Sequence, residues 1–168
     1  MKKIIVHNGT FHADDIISIC MIRNQYGNDI PVERKHEVTL DEFNDPDVWV
    51  VDVGGIHAAD YHNFDHHQDK DSPSACILVA EALYTPQMLT ILRKQLLDTI
   101  SDVDCGKAIP TAGSINSIVR NFNNLPNGFD FAVEICQAIF DAYHYNAVKS
   151  IEDEYKWKNL FKGDGFAL

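Results

Sequence analysis

The sequence predicts an α/β domain, in which a mostly parallel sheet is flanked by helices and followed by a helical C-terminal portion. In the first half of the chain, short apolar segments typical of strands alternate with helical patterns, which is the order found in parallel-sheet proteins. Residues 48–51 are apolar throughout, as expected of a strand covered on both faces. From Ser74 onward the pattern is helical.

The first half is expected to contribute the sheet and one helix. Strands are predicted at four places, namely residues 2–6, 32–36, 48–51 and 61–65. A helix is predicted from Asp14 to about Tyr26, because Ile16, Ile19, Cys20 and Arg23 recur at helical spacing and Gly27 follows as a stop signal.

The second half is expected to be helical. Helices are predicted over residues 74–84, 86–101, 114–122 and 130–149. The last is expected to be well buried, with one apolar face widened by Val133, Cys136 and Phe140; that face comprises Phe131, Ile135, Ala138, Ala142 and Tyr145.

Length and composition indicate one globular domain spanning residues 1–168, because a chain of this size buries a substantial core. No apolar run is long enough to cross a bilayer, so no membrane association is expected. The N-terminal apolar stretch stops at His7, short of a signal sequence, which predicts a cytoplasmic protein. The four cysteines are scattered with no CxxC pair, which predicts reduced, buried thiols.

The formal net charge of −11 argues against binding of long duplex DNA, since that affinity depends on Lys and Arg. It does not argue against a small phosphate ligand, because bound cations hold such a ligand even on an acidic protein.

Histidines and aspartates follow three separate predicted strands. His7 comes directly after the first strand, Asp52 after residues 48–51, and the pair His66-His67 after the fourth. Ligands of open α/β sheets bind at the carboxyl ends of the strands, so these side chains are expected to meet at one edge. Mixed imidazole and carboxylate ligands suit a divalent ion such as Mn²⁺ better than Mg²⁺ or a structural Zn²⁺.

Each residue also has an ordinary interpretation. Asp14 or Asp15 could cap the first helix, Asp52 and Asp104 could be turn acids before glycines, and His66-His67 could be a solvated pair whose side chains face opposite ways. His57 and His62 are interpreted as loop histidines.

Three sequence blocks resemble the signatures of the MYG1 family, which belongs to the DHH phosphoesterase superfamily. The blocks are His7-Asn8-Gly9-Thr10-Phe11-His12-Ala13-Asp14, Val51-Asp52-Val53-Gly54-Gly55 and Phe64-Asp65-His66-His67-Gln68. Two later segments, Ser74-Ala75 and Val103-Asp104-Cys105-Gly106, are also similar to that family.

The resemblance implies a DHH-type domain with two manganese ions, for which Mg²⁺ or Co²⁺ could substitute. It implies that the first ion is bound by His7 and His12, that Asp52 bridges the two, and that the second is bound by Asp14, His66 and Asp104.

Two further roles follow from the resemblance. His67 would contact the substrate phosphate, and Asp65 would orient the histidines. Together with Asp52 they form the expected catalytic set.

The implied activity is that of a manganese-dependent hydrolase, a phosphodiesterase that cleaves short RNA or a small nucleotide with a water activated by two metals, in the manner of a 3′→5′ exonuclease. Two alternatives remain open: a hydrolase of pyrophosphate or a phosphomonoester, and a non-catalytic metal- or nucleotide-binding module. Phe11, Tyr61 and Phe64 are either base-stacking platforms or residues that pack in the core or in loops.

The chain departs from the family at two positions: Asn63 replaces a basic residue, and Ser101 replaces an acid. It resembles a minimal, single-domain form of these longer proteins. A homodimer is expected, because the C-terminal helix and the nearby Trp157, Leu160 and Phe161 offer apolar surface that either packs inward or forms a dimer face.

Overall fold

A five-stranded sheet organises the protein. The computed structural model describes the backbone of residues 2–163 and the side chains of residues 2–159. The strands are β1 (Lys3–His7), β2 (Val32–Lys35), β3 (Val48–Val51), β4 (His57–Ala58) and β5 (Asn63–Phe64), in the order β2-β1-β3-β5-β4. All neighbours are parallel except β4 and β5, which pair antiparallel.

Seven helices accompany the sheet in the described part of the chain. They are α1 (Ala13–Tyr26), α2 (Leu40–Asn44), α3 (Ala75–Leu83), α4 (Pro86–Leu92), α5 (Asp98–Asp104), α6 (Ile115–Phe122) and α7 (Gly128–Gly163). A 3₁₀ turn covers Ala59–Tyr61, and one π-helical segment, Arg93–Leu97, joins α4 to α5. None of the helices is long and apolar enough to cross a membrane within the described residues.

The predicted α/β class is confirmed, with a mostly parallel sheet and a helical C-terminal region. The predicted strand over residues 61–65 is shorter than expected, because residues 59–61 form the 3₁₀ turn. Two short elements, α2 and β4, were not predicted, since neither carries an apolar period long enough to detect.

The sheet separates two apolar layers because side chains alternate along a strand. Ile4 and Val6 of β1 face the main core, which is built with α1, α3 and α7, whereas Ile5 faces a smaller cluster that includes Val50 and Phe43 of α2. Ten consecutive residues of α1, 13–22, are buried because this helix contacts the sheet, α3 and α7. The N-terminus of α1 is thereby fixed beside the ends of the strands.

The predicted burial of α7 is wrong in its details. The face expected to be buried is exposed: Phe131 is 46%, Ile135 42% and Tyr145 61% accessible. The helix instead buries Ala132, Val133, Cys136, Phe140 and Ala147. Two apolar stripes run along this helix, and its contacts with α1, α4 and α6 decide which one is covered. Trp157 is exposed, and the side chains of Leu160 and Phe161 lie outside the described residues.

Candidate metal centre

The end of β1 directs His7 toward two acidic side chains. Its Nδ1–H donates to the carbonyl oxygen of Asn8 at 2.9 Å, and a carbonyl only accepts, so the proton is fixed on Nδ1. Nε2 is therefore left facing Asp15 Oδ2 at 2.9 Å and Asp52 Oδ2 at 3.4 Å. This is the tautomer and orientation that a metal-binding histidine needs.

The N-terminus of α1 contributes two buried acids. Asp14 and Asp15 are fully buried in the first turn, where the helix dipole favours negative charge. The interpretation that one of them caps the helix is wrong, because His12 occupies the cap position and makes no side-chain capping bond. Within the described residues, all four carboxylate oxygens of the two aspartates are buried and accept no backbone hydrogen bond, and Asp15 Oδ2 lies against His7 Nε2.

Asp52 leaves β3 in a strained conformation. Its φ is 55°, a left-handed value that costs free energy for any residue other than glycine, and its N–H donates to Phe64 O at 3.0 Å. Strain of this kind concentrates at functional sites. The conformation places the carboxylate of Asp52 between His7 and His66. The Nε2 atom of His66 lies 3.3 Å from Asp52 Oδ1.

The loop after β5 carries Asp65, His66 and His67. Asp65 accepts hydrogen bonds from the N–H of Gly55 at 2.6 Å, from the N–H of His67 at 3.0 Å and from His67 Nδ1 at 2.7 Å. Burial alone would raise the pKa of Asp65, but these bonds outweigh it and lower the pKa. The carboxylate of Asp65 therefore stays ionised and orients the exposed imidazole of His67. Asp65 contacts Nδ1 of that ring and not its Nε2.

His66 and His67 face the same centre, so their interpretation as a pair pointing opposite ways is wrong. Their ring centroids are 4.6 Å apart. His66 Nε2 lies 3.1 Å from Asp104 Oδ2, and His67 Nδ1 lies 3.6 Å from Asp52 Oδ1.

Asp104 reaches the centre from the last residue of α5. Its Oδ1 lies 3.6 Å from His12 Nδ1. Ser101, one turn earlier, is buried, and its hydroxyl accepts from the N–H of Ser74 at 3.0 Å. The serine at this departure from the family pattern therefore anchors the segment before α3 to the helix that carries Asp104.

The predicted metal ligands come together in the structure. Four groups of three side chains each offer ligand atoms within 4.8 Å of one another: His7-His12-Asp52, Asp52-His66-His67, His66-Asp104-Cys105 and His12-Asp14-Asp104. Consecutive groups share a residue, so they form a closed ring. Among the described residues, several of the buried ligand atoms have no hydrogen-bond partner beyond these ion-pair contacts, namely His7 Nε2, Asp52 Oδ1, His66 Nε2 and both carboxylate oxygens of Asp14. Buried polar atoms are normally satisfied, so this donor set fits divalent cations.

Charge repulsion and ion pairing perturb the pKa values in this centre. Burial, followed by the carboxylates of Asp52, Asp104 and Asp15, raises the pKa of Asp14 well above its usual value. Contact with Asp15 raises the pKa of His7 to about 9. Contact with Asp104, and then with Asp52, raises that of His66 to about 10. Each shift is one that a bound cation would reverse.

Sequence reasoning missed two residues at the centre. Asp15 contacts His7 directly, and Cys105 lies beside His66 and Asp104. The Asp14-Asp15 pair was the available signal, but adjacent residues of a helix point about 100° apart, so the pair does not by itself indicate one shared site. Cys105 is tied to the backbone, because its thiol donates to Ser72 O at 3.8 Å.

Other conspicuous residues lie elsewhere. His62 stacks on Trp49 with ring centroids 4.4 Å apart, and its Nδ1–H donates to Pro46 O. Phe11 and Phe64 are core residues, whereas Tyr61 is exposed. Asn63 is buried and donates to Phe43 O at 3.0 Å, so it does not replace the family's basic residue as a surface contact.

The fold and the site together define an α/β domain with a histidine–aspartate centre, suited to more than one cation, at the carboxyl edge of its sheet. Residues 3–75 match the family model MYG1_exonuc, described as an uncharacterised protein family (UPF0160). That range contains His7, His12, Asp14, Asp52 and His66, whereas Asp104 lies beyond it.

Curated relatives point to the same family. The chain is 23% identical to the MYG1 protein of Chlamydia trachomatis over 88% of its own length and 57% of that relative. It is 35% identical to the MYG1 exonucleases of Bos taurus and Rattus norvegicus over 39% of its length and 17% of theirs. These matches support the predicted relationship to the MYG1 family. The chain spans about half of the chlamydial relative and less than a fifth of the mammalian ones. No solved structure matches.

Proposed function

We propose that this protein is a manganese-dependent phosphoesterase of the DHH type, which hydrolyses short RNA or small nucleotide phosphodiesters. The observation that carries the proposal is the closed ring of histidine and aspartate ligand atoms, several of them buried without a hydrogen-bond partner. Similarity to proteins named exonucleases supports a phosphodiester substrate.

The residues would divide between two cations on either side of Asp52. His7 and His12 would hold one ion, Asp14, His66 and Asp104 the other, and Asp52 would contact both, because its two oxygens face His7 and His66 separately. When bound, two such ions supply an activated water at neutral pH and neutralise charge on the phosphate.

His67 is suited to bind a phosphoryl oxygen. Its Nδ1–H donates to the ionised Asp65, which fixes the orientation of the ring. The side chain is 63% exposed, so Nε2 is left on the solvent side, where a protonated ring would donate to a phosphoryl oxygen. A preorganised donor of this kind stabilises charge that develops on the phosphate in the transition state.

The test is cleavage of a 5′-labelled RNA of a few nucleotides in Mn²⁺ by the wild type and by Asp52→Asn. Asparagine tolerates the left-handed conformation at this position, so the variant should fold while losing the shared ligand. Asp60→Asn is the matched control, because Asp60 is exposed on the 3₁₀ turn outside the ring.

Stepwise shortening by the wild type and Asp60→Asn, but not by Asp52→Asn, would support the proposal. Wild-type turnover by Asp52→Asn with full metal content would contradict the role of Asp52. Metal-loaded wild type that cleaves pyrophosphate or a phosphomonoester, but no RNA or dinucleotide, would overturn the phosphodiester assignment. Metal-loaded protein that cleaves none of these would favour a binding module.

A further inference from the structure

A pocket of about 330 Å³ opens directly beside the metal centre. His12 and Asp104 line this pocket and also belong to the ring of candidate metal ligands. Its volume is at the lower end of the range for small-molecule sites. A larger groove of about 660 Å³, between α1, β2 and α7, includes no residue of the centre, so size alone does not identify the substrate site.

The pocket has rigid walls. Phe11 and Pro110 supply apolar surface, and Asn116 supplies a polar side chain. The backbone of Phe11 is bound at both polar groups by Asn123, which accepts from its N–H at 3.0 Å and donates to its carbonyl at 2.9 Å. Because Asn123 is the C-cap of α6, the loop that carries His12 and the end of α6 are held as one preformed unit.

Arg120, in the last turn of α6, is the cation of this pocket. The chain's other three arginines are engaged, since Arg23 and Arg34 donate to carbonyl oxygens and Arg93 to Asp98. Arg120 is exposed and has neither a hydrogen bond nor an ion pair with any described residue. An unpaired guanidinium is unexpected on a protein of net charge −11, where acids are abundant.

We propose that Arg120 binds a second, non-scissile phosphate of the substrate, and that the pocket between it and the metal centre holds the linking nucleoside. This inference rests on the proposed phosphodiesterase activity. The guanidinium offers two parallel donors that match a phosphate, and the apolar and polar walls suit a base and sugar. Nucleotides that carry a terminal phosphate in addition to the cleaved diester are therefore the preferred substrates.

The test compares dinucleotides phosphorylated at the 5′ end, at the 3′ end, or at neither, with the full chain in Mn²⁺. For the wild type, one phosphorylated form should have the highest kcat/KM. In Arg120→Gln this preference should fall about 10- to 100-fold, mainly through KM, as expected for loss of a charge-assisted contact. Arg120→Lys should retain part of it.

Two lysines serve as comparisons. Lys94→Gln removes the same charge from an exposed position that lines neither pocket beside the centre, and should leave the preference unchanged. Lys70 lines a second pocket of about 280 Å³ at the centre, with His67. Loss of the preference in Lys70→Gln but not in Arg120→Gln would overturn the assignment, as would equal effects of Arg120→Gln on all three dinucleotides.

Failure of the activity and failure of the pocket are distinguishable. If the wild type cleaves no dinucleotide, the same three compounds remain intact and their binding is measured by calorimetry. Tighter binding of a phosphorylated form that Arg120→Gln abolishes would still support the pocket, whereas equal affinities would overturn it.

Discussion

Metal binding is expected to release protons from the histidines of the centre. The pKa of His7 is raised to about 9, chiefly by Asp15, and that of His66 to about 10, chiefly by Asp104. Both imidazoles are therefore protonated in the metal-free protein at pH 7, whereas a metal ligand must be neutral. Loading the centre should release at least two protons, one from each imidazole, and the overall association constant should rise at least about 100-fold per pH unit between roughly pH 6 and 8.

Calorimetric titration with Mn²⁺ at pH 7, in buffers of different ionisation enthalpy, measures the proton count. His66→Gln should lower the count by at least one. His144→Gln is the matched control, because burial lowers the pKa of His144 and leaves it neutral at pH 7. It should not change the count.

The reasoning would be refuted by release of fewer than one proton from the wild type. It would equally be refuted if His66→Gln released as many protons as the wild type while binding the same amount of metal.

Three further predictions concern stability and turnover. Asp14→Asn should raise the melting temperature of the metal-free protein by roughly 2–4 °C, about 1 kcal/mol, because burial and three neighbouring carboxylates disfavour the charge of Asp14. Asp102→Asn, at an exposed position, should leave the melting temperature unchanged. Scanning calorimetry in the presence of a chelator measures both variants. Gly54→Ala should lower the free energy of unfolding by denaturant by about 1–3 kcal/mol, because a Cβ would lie 2.5 Å from Phe43 Cζ. Gly113→Ala is the control for backbone strain alone, since Gly113 has a φ of 78° and nothing within 4 Å of the added Cβ. Equal losses of unfolding free energy in the two variants would argue against the clash. His67→Ala and Asp65→Asn should each lower kcat about 10- to 100-fold while the amount of bound Mn²⁺ stays the same. An unchanged kcat in either variant would contradict a role of that residue in the reaction.

Much of the fold was predictable because its signals are local. The apolar run of residues 48–51 and the helical spacing of α1 each identify one element without reference to its neighbours. The length of β5 and the covered face of α7 were not predictable in this way. Both depend on contacts between segments distant in the chain, and α7 carries two apolar stripes that are equivalent until α1 packs against one of them.

The sequence by itself determined that three of the residues from separate strands meet at the candidate centre. His7, Asp52 and His66 each follow a strand, and parallel strands bring their carboxyl ends to one edge, so strand order alone converges them. Only the tertiary structure decided what surrounds them. Asp15 is buried against His7, hydrogen bonds fix His67, and Arg120 lies beside the centre with no partner among the described residues. These arrangements arise between side chains whose approach depends on packing, which no local pattern encodes.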